Sequence, residues 1–303
     1  TIMKPNEVLT SQERDLLLRR SDLKAWLMVL RTWTLTFGIL WLVAAYPGVL
    51  TLLFAWLVLP GRQLSLAVLM HEAGHGTLFK TRALNQWVGQ WLCALPTLGD
   101  LHSYARGHTA HHRFAGSHDD PDLPNYQAYP ISRDSLYRKW RRDLLGKTGL
   151  KLLRALASGT SSQMSRETHG SHHLVAKQIL VHGVFIAALS ALGIGWTWFV
   201  WMFTFLTSYM WVVRLRQVGE HAVVTDLYDP DVRLNTRTVE APFWQRFLLA
   251  PNNVNYHMEH HFMAGVPCYN LPKLRSLLKQ KGVLDGLPVV SGYGQVLKMA
   301  VAS

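Results

Sequence analysis

From Trp26 to Met70 the chain is almost continuously apolar, interrupted by Arg31, by Tyr46-Pro47-Gly48 and by Pro60-Gly61-Arg62. A bilayer core takes about 20 apolar residues per helix, so this block has room for two spans, at about 27–46 and 49–70, with a turn at Pro47-Gly48. Arg62 falls inside the second span unless it snorkels or the helix bends at Pro60. A second block, Lys177 to Val213, is divided by Gly193-Ile194-Gly195, which predicts two more spans at about 176–194 and 196–213. Trp196, Trp198, Trp201 and Trp211 fall near the ends of the last one, where an amphipathic ring suits the membrane interface. The remaining segments, 71–175 and 214–303, are polar. The pattern predicts an all-α membrane protein with four transmembrane helices and a helical cap formed by the two polar segments.

Composition supports this reading. With 49% hydrophobic and 17% charged residues the chain is neither disordered nor a coiled coil. A mean hydropathy of only +0.07 is what apolar spans averaged with polar segments produce. The formal charge of +12 would fit nucleic acid or an anionic membrane surface, and its position decides between them. The turns at Pro47-Gly48 and Gly193-Gly195 carry no Lys or Arg, whereas residues 4–31, 80–177 and 214–298 carry nearly all of them. The positive-inside rule therefore places both termini and both polar segments in the cytoplasm, with the basic charge against membrane lipids and no nucleic-acid partner. Thr1 to Lys24 lack the apolar core of a signal peptide, so insertion is expected from the internal spans. No internal repeat appears, the Ser-rich stretch Ser158 to Ser165 reads as a surface loop, and no linker divides the chain. One domain over 1–303 is expected.

The chemistry lies in the histidines. Of 15, eight fall in three clusters: His71 and His75; His108, His111 and His112; His257, His260 and His261. Residues at i, i+3 and i+4 share a helix face, so each cluster is expected to aim its rings at one point. Eight imidazoles exceed the three or four that one zinc accepts, which implies two metals. Imidazole suits iron, copper, nickel and zinc alike. A cage at the mouth of an apolar bundle is placed to meet a lipid chain, and attack on unactivated hydrocarbon calls for oxygen activated by a redox metal. That favours iron. His71-Glu72-Ala73-Gly74-His75 is also a literal H-E-x-x-H, the signature of zinc proteases, but a protease at the end of a span leaves six further histidines unexplained.

These clusters resemble the membrane fatty acid desaturase superfamily, which also holds alkane and fatty acid hydroxylases. The likeness runs from the helix before His71 through Val266-Pro267-Cys268-Tyr269-Asn270-Leu271-Pro272-Lys273-Leu274. Its first box matches as His71-Glu72-Ala73-Gly74-His75-Gly76. The second matches as Gly107-His108-Thr109-Ala110-His111-His112-Arg113, followed by Asp119-Asp120-Pro121-Asp122. The third matches as Asn253-Val254-Asn255-Tyr256-His257-Met258-Glu259-His260-His261. The resemblance implies two iron ions, molecular oxygen as co-substrate, and one more ligand after the fourth span, where His221 stands in Gln217-Val218-Gly219-Glu220-His221. The implied ligand set is His71, His75, His108, His111, His112, His221, His257, His260 and His261. In acyl-coenzyme A members the position four before the added histidine is an asparagine that holds a metal-bound water; here it is Gln217.

The implied reaction removes hydrogen from a methylene of a fatty acid or acyl lipid. Desaturation is favoured because the third box and Pro267 to Leu274 look most like bacterial desaturases. Hydroxylation, or loss of the carboxyl group to leave a terminal alkene, shares the first hydrogen abstraction. Glu72, Glu259, Asp119, Asp120 and Asp122 are candidates to hold the ligand rings by their second nitrogen, and His118 lies beside the acidic run. His102, His169, His172, His173 and His182 fit no cluster. No H-P-G-G haem motif is present, and Cys93 and Cys268 form no C-x-x-C pair, which excludes a disulfide scaffold and a built-in rubredoxin or iron–sulfur site. Electrons must then come from a separate ferredoxin, rubredoxin or cytochrome with its reductase. The expected location is the inner membrane of a bacterium, with termini and metal site cytoplasmic.

Overall fold

The computed structural model describes residues 2–158 and 171–302, without the side chains of 171 and 172. Among the described residues the chain is helical, and the only β-type pairing is two isolated bridges, Ile131 with Val301 and Val239 with Val290. Most of the expected Ser158–Ser165 loop, and His169, lie outside the described residues.

Among the described residues four helical stretches are long and apolar enough to cross a membrane. The first contains α1, Asp22–Ala45, started by Ser21, whose side chain accepts the Lys24 amide as an N-cap. The second is α2, Val49–Gly74. The third is α4, Ser171–Ala191. The fourth is broken: α5, Trp198–Leu206, and α6, Ser208–His221, meet at Thr207, whose φ of −119° and ψ of −91° are not helical. The α6 part runs past Val213, where the apolar stretch ends, to His221. The helix continues because its polar end is buried in the protein, where hydropathy no longer governs.

Helix α2 is central, with most of its apolar stretch buried, whereas α4 leaves most of its own exposed. Leu40 of α1, Leu59 and Leu66 of α2, Leu189 of α4 and Trp201 of α5 are all shielded in one apolar core. Trp201 is therefore a core residue and not an interface anchor; its indole donates to the Pro96 carbonyl at 3.2 Å. Trp196, by contrast, is exposed.

Arg62 neither snorkels nor marks the end of a helix. It is 2% exposed, its guanidinium lies 4.0 Å from the Phe247 ring centre, and it donates to the Phe247 carbonyl. Those contacts come from α7, Phe243–Leu249. Gly61 permits the approach, because a Cβ there would stand 2.8 Å from the carbonyl oxygens of Phe247 and Leu248. Helix α2 passes through Pro60 without interruption.

Residues 82–98 behave unlike the rest of the first polar segment. They form a short α-helix, a π-turn and a 3₁₀ turn, and their carbonyls are satisfied by side chains of the spans. Trp33 donates to Leu92 at 3.1 Å, Gln178 to Leu98 at 3.0 Å and Trp201 to Pro96. Irregular backbone needs such partners wherever water is excluded. This piece packs among the spans, and it carries the chain from the first histidine pair to the second cluster.

Candidate metal centre

Each histidine cluster is delivered by a helix whose placement has a local cause. His71 and Glu72 occupy the last turn of α2, which closes at His75 before Gly76 turns with φ +67°. The second cluster rides on α3, Leu101–Phe114, N-capped by Asp100, which accepts the Ser103 amide at 2.9 Å. Gln90 braces that cap from the π-turn, donating to Asp100 and accepting the Leu101 amide. The third cluster is most of α8, His257–Phe262. Asn252 and Asn253 precede it with φ of +55° and +61°, a conformation asparagine tolerates better than most residues. The Asn252 amide ties this bend to α2 through Ser65 Oγ at 2.7 Å, and its carbonyl oxygen accepts from Arg31 of α1 at 3.0 Å.

The nine histidines gather into two groups. His71, His75, His108, His112 and His260 form one, and His111, His221, His257 and His261 the other; within each, one ring nitrogen per residue lies within 4.8 Å of all the rest. Each triplet therefore divides between two points and does not converge on one. The helix accounts for this: at about 100° per residue, positions i and i+4 lie about 40° apart, whereas i+3 lies about 100° from i+4. His108 and His112 stay together while His111 faces the other group, and His257 and His261 stay together while His260 crosses over.

The ring nitrogens point inward. In the five-membered group His71 Nε2 is 2.8 Å from His108 Nε2, and His112 Nε2 is 2.9 Å from both His108 and His260. In the four-membered group His221 Nε2 is 2.8 Å from His257 and 3.2 Å from His111. His75 Nε2 and His261 Nε2 are buried without a hydrogen-bond partner. Buried polar atoms are normally paired, so lone pairs converging without protein partners are what a metal ion would satisfy. Burial, reinforced by neighbouring imidazoles, pushes His108, His257, His260 and His261 well below the usual histidine range. The same causes bring His112 down to about 3. These rings are neutral at neutral pH, the form that binds metals.

Outer partners hold the rings. Asp120 accepts from His111 Nδ1 at 2.8 Å and from the Tyr126 hydroxyl. Burial pushes the Asp120 carboxyl up, but the bonds from His111, Tyr126 and the Asp122 amide outweigh it and keep the group below the ordinary carboxylate range. Glu72 faces His71 Nδ1 at 3.2 Å through one oxygen, while the other accepts from Thr77 at 3.0 Å and the Cys268 amide at 2.7 Å. Both oxygens being engaged, Glu72 is poorly placed to serve as the base of an H-E-x-x-H protease. Asp122 lies 3.7 Å from His111 Nδ1.

Other sequence-based expectations are redirected. Glu259 faces no ring, since Arg275 binds it at 2.6 Å and Thr238 donates to its second oxygen. Asp119 is exposed, as is His118, which stacks on Tyr228 with ring centres 4.2 Å apart. His182 accepts from the Trp198 indole at 3.1 Å, far along the chain from either group. Two anchors escaped the sequence reading. The Asn235 carbonyl accepts from His221 Nδ1 at 3.2 Å, and Glu220 lies 3.5 Å from His257 Nδ1. A backbone carbonyl leaves no sequence signal; Glu220, next to His221, could have been found.

A cavity of about 500 Å³ opens on both groups, lined by His71, His108, His111, His221, His257 and His260 among others. Gln217 also lines it, one residue beyond Arg216.

Known proteins of similar sequence are desaturases. The dihydrorhizobitoxine desaturase of Bradyrhizobium elkanii is 26% identical over 238 residues, covering 75% of this chain and 67% of that protein. The sn-1 oleoyl-lipid 12-desaturase of Picosynechococcus is 25% identical over 282 residues, 86% of this chain and 78% of that one. A shorter match, 32% over 91 residues, or 30% of this chain and 24% of the other, links it to the sn-1 acyl-lipid omega-3 desaturase (ferredoxin) of Synechocystis. A family model for fatty acid desaturases matches residues 46–293, so that, with four membrane-length helices and two histidine groups that could hold metal, this chain belongs to the fatty acid desaturase family.

Proposed function

We propose that the two histidine groups each hold one iron ion and that the protein desaturates a fatty acyl chain with molecular oxygen. His71, His75, His108, His112 and His260 are the proposed ligands of one ion, and His111, His221, His257 and His261 those of the other. The observation that carries this reading is the convergence of nine ring nitrogens into two groups where the membrane-length helices α2 and α6 end. When bound, an iron pair supplies oxygen activation strong enough to break an unactivated C–H bond. The protein's own part is positional. Asp120, Glu72, Glu220 and the Asn235 carbonyl orient four of the rings, and burial keeps His108, His112, His257, His260 and His261 unprotonated. Placement of one methylene beside the groups selects the carbon attacked.

Desaturation is preferred over hydroxylation because the relatives reported above are all named as desaturases. Electrons would arrive from a separate carrier with its reductase, and the ferredoxin in the Synechocystis relative's name supports a small iron–sulfur protein ahead of a rubredoxin or cytochrome. We place the chain as one domain in a bacterial inner membrane, with the metal groups on the cytoplasmic side. The charge-free turns at Pro47-Gly48 and Gly193-Gly195 support that orientation.

Purified protein should contain two irons per chain. With reductase, carrier and a saturated acyl substrate it should consume oxygen and yield a carbon–carbon double bond. An alcohol as sole product would replace the desaturase reading with a hydroxylase, and a hydrocarbon one carbon shorter would replace it with a decarboxylase. One zinc and no oxygen uptake would remove the oxidative reading altogether.

A further inference from the structure

The cavity beside the histidine groups holds a charge that ring orientation does not use. Three carboxylates line it, Glu72, Asp122 and Glu220, and each faces a histidine nitrogen, at 3.2, 3.7 and 3.5 Å. Among the lining residues Arg216 is the sole arginine or lysine. It stands on α6, one turn before Glu220, and its Nη1 donates to Glu220 Oε1 at 2.6 Å. Its Nε is buried with no hydrogen-bond partner, yet the side chain keeps 20% of its surface accessible while lining the cavity.

A guanidinium offers five donors in a planar fork matched to a carboxylate. Leaving such donors unpaired in a shielded site is costly. A residue needed only to neutralise Glu220 would not have to border the cavity. The contacts Arg216 to Glu220 to His257 put this fork two steps from the four-histidine group. An anion seated on it would hold its first few carbons beside the rings.

We propose that Arg216 anchors the carboxylate of the substrate, so that the protein takes an unesterified fatty acid, head group first, and oxidises it close to the carboxyl end. This rests on the oxidative reading above and names the form in which the acyl chain arrives. An ester of the same chain keeps the acceptor oxygens but loses the charge, and with it the stronger charge-assisted bond.

The test uses the iron-loaded protein in nanodiscs, with dodecanoate and methyl dodecanoate as probes. Equilibrium dialysis measures binding, and oxygen uptake with a reductase and carrier measures turnover. Wild type should bind dodecanoate at least tenfold more tightly than the ester and modify it within a few carbons of the carboxyl group. Arg216→Gln should raise the Kd and KM for dodecanoate at least tenfold and erase the preference, with two irons still bound, and Arg216→Lys should restore part of it. Equal binding of acid and ester by wild type, or an acid preference retained by Arg216→Gln, would overturn the anchor. The wild-type comparison decides even if the glutamine variant misfolds. A role confined to neutralising Glu220 would lower kcat or iron content and leave the acid-to-ester ratio unchanged. Selective binding of the acid without oxygen uptake would instead sink the oxidative reading and leave the anchor standing.

Discussion

The two histidine groups share α3 and α8, but α2 completes the larger and α6 the smaller, and they are unequal. All four rings of the smaller group are buried, and three of them lean on an acceptor outside the group: His111 on Asp120, His221 on the Asn235 carbonyl and His257 on Glu220. Of the five rings in the larger group only His260 is fully buried. Among the described residues the larger group's one carboxylate contact is the 3.2 Å approach of Glu72 to His71. One half is fixed by its outer partners before any ion arrives; the other has its rings gathered but less firmly held. Outer partners orient the ring and raise its basicity, so the halves should differ in how tightly they keep metal.

The largest expected effect tests the site itself. His221→Ala and His257→Ala should abolish turnover and lower bound metal while leaving membrane insertion intact, and His75→Ala should leave more residual metal than either. If alanine at two of the eight clustered positions kept most of the activity, the ligand assignment would be wrong. Next in size is the difference between the halves. Timed chelation should take metal content from two per chain to one before reaching none, with the five-histidine group emptying first. Simultaneous loss of both ions would erase the distinction. Smaller again is Asp120→Asn, which leaves His111 Nδ1 a neutral acceptor and should cost about 10–100-fold in metal affinity or activity. Tyr126→Phe removes one donor from Asp120 and should cost ~1.5 kcal/mol, the lower edge for a hydrogen bond to a charged group, read as a small fall in apparent Tm with metal content unchanged. The ring, stacked on His221 with centres 4.8 Å apart, is kept in this variant, so a loss larger than that of Asp120→Asn would show that the hydroxyl does more than steady Asp120.

How much was legible follows from how local each signal is. Four apolar stretches and three histidine clusters were readable because hydropathy and helical spacing are properties of contiguous residues. Residues 82–98 were harder. Their apolar content is too short for a span, and only the bonds from Trp33, Gln178 and Trp201 explain why they pack among the helices. Arg62 looked like an obstacle inside a span until Phe247, 185 residues away, supplied its partner. Glu259 looked like a ring holder until Arg275 proved to occupy it.

By itself the sequence determined the number of apolar helices, the presence of a metal-binding chemistry rich in imidazole, and the family to which that chemistry belongs. Tertiary structure decided how nine rings divide into five and four, which acceptors hold them, and that Arg216 borders the cavity between them. The reason is distance along the chain. A box records which residue types share a helix, whereas the partner of a ring is whatever backbone or side chain packing brings to its second nitrogen. Glu72 and the Cys268 amide, 196 residues apart and 2.7 Å from one another, meet only because the helices around them are packed against a common core.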